Sequence, residues 1–147
     1  MNVQFESQLQ DVIAGLAPQF RQDQERKVAA LRAAGGTSYD GLLAVTQDTG
    51  QPLDVRLTAI WVLGCLRDTS AAPALLATLA DAHPDIRRYA AIALGDLRDR
   101  RAVSPLIRAL QTDADARVRK GAAKASLSIS TASTGRPLRA DASRMRS

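Results

Sequence analysis

The sequence predicts an all-α protein built as a solenoid of stacked helix pairs. Three observations predict it: a repeat with a period of about 31 residues, helical spacing of apolar residues within each copy, and a composition poor in aromatics. Hydrophobic residues make up 46% of the 147 residues and aromatic ones only 3%, so alanine and leucine supply most of the core. These residues favour close-packed helices, whereas strands prefer Val, Ile, Thr and aromatic side chains.

The clearest repeat joins two segments of equal length. DVRLTAIWVLGCLRD begins at Asp54 and DIRRYAAIALGDLRD at Asp85, 31 residues later. A third, shorter copy, ARVRKGAAKASLS, begins at Ala116 and has Leu127 where the second copy has Gly95. Self-similarity at this period is the sequence signature of a solenoid.

Each copy has the apolar spacing of a helix. The first two copies share one stripe, made of Val55, Ala59, Val62, Leu63 and Leu66 and then of Ile86, Ala90, Ala93, Leu94 and Leu97. A weaker repeat lies between them, with Leu75, Leu76 and Leu79 matched by Leu106, Ile107 and Leu110. We expect Asp54 and Asp85 to cap the N-terminal ends of the longer helices. The predicted unit is therefore a short helix, a tight turn and a longer helix.

The pattern Leu-Leu-x-x-Leu, then Asp, then aliphatic-Arg-x-x-Ala-x-x-x-Leu-Gly resembles HEAT repeats. It is most similar to the short repeats of phycobilin-lyase-type proteins, over about residues 37–127. The resemblance implies a right-handed α–α superhelix with outer helices on its convex side and inner helices on its concave side. By resemblance, the outer helices span about 38–48, 70–81 and 102–112, and the inner ones about 54–66, 85–98 and 116–128.

The resemblance also implies a ladder of Asp and Arg side chains in the turns between paired helices. Asp81 precedes Arg87 by six residues, and Asp113 precedes Arg119 by six. An Arg fork can bind a carboxylate and loop carbonyls together. We therefore interpret these arginines as structural.

The chain divides into three predicted regions. Residues 1–36 contain two helical stripes and a Gly35-Gly36 stop, which predict an N-terminal capping helix pair. Residues 37–128 hold the three repeats. Residues 129–147 lack periodicity and are rich in Ser, Thr and Arg, which predicts a disordered basic tail.

The net charge of +5 belongs to the C-terminal end of the chain. Residues 1–113 carry twelve basic and thirteen acidic side chains, and residues 114–147 carry eight and two. This confinement disfavours nucleic-acid binding along the whole solenoid. The sequence has no apolar run of about 18 residues and no signal-peptide pattern at its N-terminus, so we expect a cytoplasmic protein with no membrane partner.

Residues for catalysis are scarce. A single histidine, His83, and a single cysteine, Cys65, exclude His-rich metal sites, paired-cysteine sites and a disulfide within the chain. The sequence has no His-Glu dipeptide, which separates it from deoxyhypusine hydroxylase, a HEAT-like iron enzyme. We expect no enzyme activity, no bound metal and no cofactor. Cys65 is expected to be inert and His83 to be a polar turn residue.

The positions that vary while the helical frame repeats predict a binding surface. They lie two, three and six residues after the first aliphatic of each inner helix, away from the core stripe. The predicted partner-binding residues are Leu57, Trp61, Arg88, Tyr89, Ile92, Lys120 and Lys124. Aromatic anchors beside cations suit a peptide or an acidic protein. Two alternatives stay open, namely that Trp61 packs within the solenoid and that the charges are a solvated face.

These features predict a non-enzymatic scaffold that binds a protein or peptide on its concave inner-helix face. The alternative is a phycobilin-lyase-related accessory protein that handles a bilin on a client protein, which rests on the style of the repeats alone.

The C-terminal repeat raises a separate expectation. Leu127 and Ile129 are predicted to lie near an open solenoid end, edged by Lys120 and Lys124. Such an end is expected to self-associate or to dock an acidic partner. The alternative is that Ala and Ser make the third repeat polar enough to end the array.

Overall fold

The computed structural model describes residues 3–134 and confirms the all-α solenoid. In that range it has eight α-helices and no strand. In chain order the helices are α1 (Val3–Ala14), α2 (Pro18–Ala33), α3 (Tyr39–Gln47), α4 (Leu53–Leu66), α5 (Ala72–Thr78), α6 (Pro84–Leu97), α7 (Val103–Thr112) and α8 (Ala116–Thr134). Short 3-10 turns, Thr69–Ala71 and Arg100–Ala102, precede α5 and α7.

The helices pack as three layers, α3–α4, α5–α6 and α7–α8. Within a layer the two helices contact each other, and the inner helices α4, α6 and α8 contact in that order. The predicted core stripes of α4 and α6 are buried, apart from the half-buried Leu66. Helices α1 and α2 both contact α4, and their residues Phe5, Leu9, Val28 and Leu31 join the same core.

The recurring Leu-Arg-Asp sequence makes the turn from an inner helix to the next outer helix. Arg67 and Arg98 have left-handed backbone conformations, with φ of 54° and 57°, which end α4 and α6. The following aspartates cap the 3-10 turns, since Asp68 accepts a hydrogen bond from the Ser70 N–H and Asp99 accepts one from the Arg101 N–H. The repeat therefore carries a turn geometry as well as an apolar stripe.

The predicted capping role of Asp54 and Asp85 is wrong. Both lie in the first turn of their helices, and the capping positions are Pro52 and His83. The Nδ1 atom of His83 accepts a hydrogen bond from the Asp85 N–H at 3.1 Å. The two carboxylates remain close to the positive end of the helix dipole, where they are favourable without capping it.

Two glycines set the distance between neighbouring inner helices. A Cβ atom on Gly64 would lie 3.1 Å from the Cα atom of Ala93, and one on Gly95 would lie 2.9 Å from the Cα atom of Ala125. These positions recur because each receives the backbone of the next inner helix. The expected close helix approach is confirmed at both glycines.

The Asp–Arg ladder runs between layers. Arg56 binds Asp81 of the next layer at 2.7 Å and the Thr46 carbonyl of its own layer. Arg87 binds both oxygens of Asp113, at 2.9 and 3.1 Å, and donates to the Asp81 carbonyl. Each Arg therefore binds one or two backbone carbonyls of its own layer and the carboxylate of the following layer, and the ladder ties successive layers together.

Two expectations about burial and helix length are wrong. The disordered tail expected from residue 129 is wrong for residues 129–134, because α8 continues to Thr134, and residues 135–147 lie outside the described range. Ile129 is fully buried on the core side of α8, so only Leu127 of the expected pair is exposed, at 66%.

Candidate partner-binding groove

The seven predicted binding residues lie on one side of the inner helices. We call this side the inner-helix groove, defined by Leu57, Trp61, Arg88, Tyr89, Ile92, Lys120 and Lys124. On α6, residues 88, 89 and 92 point away from the buried stripe that starts at Ile86, as the helical period of 3.6 residues requires. Because α4, α6 and α8 pack side by side, the equivalent side chains of the three helices form one surface.

Three adjoining cavities follow the groove. The first, of about 460 Å³ between α6 and α8, includes Arg88, Ile92, Lys120 and Lys124 in its lining. The second, of about 220 Å³, is lined by Trp61, Arg88, Tyr89, Ile92, Ala93 and Asp96. The third, of about 90 Å³, includes Leu57, Trp61 and Tyr89. Each cavity shares residues with the next, so the structure brings all seven predicted residues together.

Trp61 and Tyr89 stand where the second and third cavities meet. Both rings are half-buried and pack against the hydrophobic core while also lining the groove. Trp61 therefore packs within the solenoid, as one interpretation holds, and also lines two of the cavities. Ile92, 42% exposed, continues the apolar surface toward α8.

The α8 end of the groove is cationic. Arg88, Lys120 and Lys124 form no ion pair with any residue in the range 3–134. Arg117 also lines this cavity but is paired with Asp85 at 3.2 Å and with Asp115 at 3.1 Å. The carboxylate in this part of the lining is Asp96, whose pKa is raised because burial disfavours its charged form.

Sequence reasoning missed several lining residues. Asp96 lines two of the cavities. It occupies the repeat position that Cys65 has in α4, and this match predicts only that a polar side chain is tolerated there. Gln24 and Lys27 come from α2, which extends the row of inner helices beyond α4. The likeness of RKVAALRAAG in α2 to the inner helices is the signal that could have found them.

The residues with reactive side chains have structural surroundings. Burial raises the pKa of the Cys65 thiol to about 11, so the thiolate is scarce near neutral pH. His83 uses its ring nitrogen to cap α6. Within residues 3–134, no group of three or more His, Cys, Asp and Glu side chains is arranged to hold a metal ion.

None of the helices described is both long and apolar enough to cross a lipid bilayer. The three stacked helix pairs with their inner-helix groove define the protein as an α-solenoid. A family model described as HEAT repeats matches residues 39–128, more than half of the chain, and the protein belongs to that family. The match runs from the start of α3 to residue 128 within α8 and does not single out the phycobilin-lyase type of repeat. A search of the curated proteins found no match.

Proposed function

We propose that this protein is a non-enzymatic scaffold that binds an acidic segment of a partner protein along its concave, inner-helix groove. HEAT repeats are commonly protein-interaction scaffolds. The observation that supports this function most is the arrangement of the groove, in which two half-buried aromatic rings adjoin three cations free of ion pairs among the described residues. The elements of a binding hot spot are thus next to each other.

The aromatic centre suits an apolar side chain of the partner. Trp61, Tyr89 and Ile92 line a cavity of about 220 Å³, which is the size of one large side chain rather than of a drug-like ligand. Rings that already pack against the core lose little conformational freedom when a partner binds. This makes the centre of the groove the place where binding energy is concentrated.

The cationic end suits carboxylates next to that apolar anchor. Unpaired cations attract an acidic partner without first breaking an internal ion pair, and this attraction increases association rates at low salt. Arg88 lines both the apolar and the cationic cavity. The proposed ligand is therefore one segment with an apolar residue followed or preceded closely by acidic residues.

The surroundings of the reactive residues support a binding function over catalysis. Cys65 has a pKa of about 11, raised by burial, and is a poor nucleophile at neutral pH. His83 already accepts the hydrogen bond that caps α6.

The test begins with a pull-down from the native host to identify the partner, followed by calorimetric titration of purified partner and full-length variants. Trp61→Ala is expected to weaken binding by about 2 kcal/mol or more, the usual cost of truncating an aromatic hot spot. Lys120→Glu with Lys124→Glu should weaken binding most at low salt. Arg100→Glu is the matched control, because Arg100 is exposed in the 3-10 turn before α7 and outside the groove.

An unchanged affinity for Trp61→Ala together with a lower melting temperature would show that Trp61 is only a packing residue and would contradict the proposal. A parallel titration with a bilin, followed by visible absorbance, tests the accessory function suggested by the phycobilin-lyase resemblance.

A further inference from the structure

One stripe on each inner helix faces the next layer. It consists of three residues spaced by four, which are Arg56, Ile60 and Gly64 on α4, Arg87, Ala91 and Gly95 on α6, and Arg119, Ala123 and Leu127 on α8. The first two stripes are covered, since Ile60 and Ala91 have no exposed surface. On α8 no following layer covers the same stripe within residues 3–134. Leu127 is 66% exposed there, whereas Arg119 and Ala123 are half-buried.

Arg119 is the open end of the Asp–Arg ladder. Its Nη1 atom donates to the carbonyls of Asp113 and Ala114, just as the Nη1 atom of Arg87 donates to those of Asp81 and Ala82. In Arg87 the Nε and Nη2 atoms bind the two oxygens of a carboxylate. In Arg119 these two donors have no partner among residues 3–134, although the guanidinium is already held in place by the turn.

Apolar side chains of α7 extend the uncovered surface. Ile107 is 40% exposed and Leu110 is 37% exposed, whereas their counterparts Leu76 and Leu79 in the layer before are half-buried. We call this surface the end face, defined by Ile107, Leu110, Arg119, Ala123 and Leu127. The end face therefore combines the Arg119 guanidinium, which can bind both oxygens of a carboxylate, with an apolar surface on the same side of the last layer.

A second copy stacked as a further repeat does not fit the end face. At the equivalent positions Gly64 and Gly95, the next inner helix approaches so closely that even a Cβ atom is crowded. Leu127 puts a full side chain at that place. A further inner helix would have to lie farther from α8 at this position, so any occupant must meet Leu127 by packing against it.

Charge indicates which occupant suits the end face. Residues 135–147 of this chain carry four arginines and a single aspartate, and a second copy paired end face to end face would bring the same basic residues of α8 together. The C-terminal segment of the chain and a second end face are therefore both disfavoured as occupants. Each would place like charges beside Arg119 and its neighbours Arg117 and Lys120, which costs free energy. An acidic segment of a different protein has the complementary charge.

We propose that the end face is a second docking site, which binds an acidic segment of another protein. A carboxylate of that segment takes the place of the missing ladder aspartate on the Nε and Nη2 atoms of Arg119. An apolar side chain of the same segment packs on Leu127, about 12 Å further along α8 at a rise of 1.5 Å per residue. This site is distinct from the inner-helix groove and holds whether or not the groove binds a partner.

The test uses a phage-displayed library of random 16-residue peptides, selected on the immobilised full-length protein. We expect enriched peptides to carry an acidic residue and a large apolar residue. Fluorescence anisotropy of a selected peptide should show at least tenfold weaker binding to Arg119→Gln and to Leu127→Glu. Arg100→Gln, the matched control outside both sites, should leave the affinity unchanged. Because Leu127 is exposed, its variant keeps the test decisive if Arg119→Gln folds poorly.

Four results would overturn the proposal. The first is the selection of peptides without acidic residues. The second is a peptide affinity that depends on Arg88 but not on Arg119, a result that would be consistent with binding in the groove. A concentration-dependent mass in analytical ultracentrifugation that Leu127→Glu abolishes would assign the end face to a second copy. Tighter peptide binding by Asp141→Asn would assign it to the C-terminal segment of the chain itself.

Discussion

Gly95 lies so close to Ala125 that a Cβ atom on the glycine would be 2.9 Å from the Ala125 Cα atom. The Ala125 Cα atom belongs to the backbone of α8, so it cannot move aside as the end of a long side chain could. This close approach is part of the contact between α6 and α8 and borders the cationic end of the groove, since Gly95 and Ala125 also line its cavity.

Gly95→Ala is expected to destabilise the fold by about 1–3 kcal/mol, the typical cost of overpacking a well-packed core. Gly121→Ala is the matched control on α8, because a Cβ atom there would meet its nearest neighbour at an ordinary 3.9 Å. That variant should be neutral or more stable by up to about 1 kcal/mol, since alanine is the better helix former. Urea denaturation measures both, and equal effects at the two sites would contradict the packing argument.

Arg87→Met is expected to cost about 3 kcal/mol or more of unfolding free energy. It removes the guanidinium that binds Asp113 and two turn carbonyls, and it leaves Asp113 with the Asp115 N–H. The side chains of Arg87 and Asp113 are only 17% and 9% exposed. Arg101→Met removes another Asp–Arg pair, but the Arg101 side chain is 59% exposed, so the change should cost clearly less than Arg87→Met. Denaturant titration of the two variants compares them directly, and a neutral Arg87→Met would show that the ladder does not stabilise the layers.

Stability should decline at acid pH through the ladder carboxylates. Burial is the largest single influence on the pKa of Asp81 and of Asp113 and tends to raise it. The hydrogen bonds and charges of Arg56 and Arg87, together with the backbone N–H groups of His83 and Asp115, outweigh burial, so both pKa values lie below the ordinary value. A carboxyl with a lowered pKa in the folded state stabilises the fold above its unfolded pKa, and this contribution is lost as pH falls through the folded value.

These two carboxyls should therefore leave the urea concentration at the unfolding midpoint unchanged near neutral pH. The midpoint should decrease when the pH is lowered below about 4, the pKa of aspartate in the unfolded chain. Asp113→Asn should reduce the size of that drop. An identical acid profile in the wild type and in Asp113→Asn would show that Arg87 does not act through this carboxylate.

Cys65 should react slowly with thiol reagents in the folded protein. Burial raises its pKa to about 11, so the thiolate that attacks the reagent is rare at pH 8. We expect the rate with iodoacetamide to be at least about tenfold lower in the native state than in urea, given the ordinary cysteine pKa of about 8.5. Mass spectrometry of timed samples measures the rate, and equal rates in the two conditions would indicate an exposed, activated thiol.

The internal repeat makes much of this architecture predictable from the order of residues. Local spacing determines where a helix places its apolar side, so the stripes from Val55 and from Ile86 indicate both the inner helices and their core. The residues that vary beside these stripes, from Leu57 to Lys124, line the adjoining cavities because the same helical period carries them to the opposite side. The glycines at 64 and 95 recur for a packing reason that their spacing already suggests.

The order of residues was enough to predict the class of fold, the layers and the side of each inner helix that points away from the core stripe. Contacts between layers were not predictable in this way. They include the binding of Arg56 and Arg87 to carboxylates of the following layer, the place of Lys27 in the groove lining, the burial of Ile129, and the position of Arg119 and Leu127 beyond the last layer that the structure describes. The physical reason is that periodicity describes one helix at a time. Partners across layers depend on how far each layer is offset when it stacks on the one before.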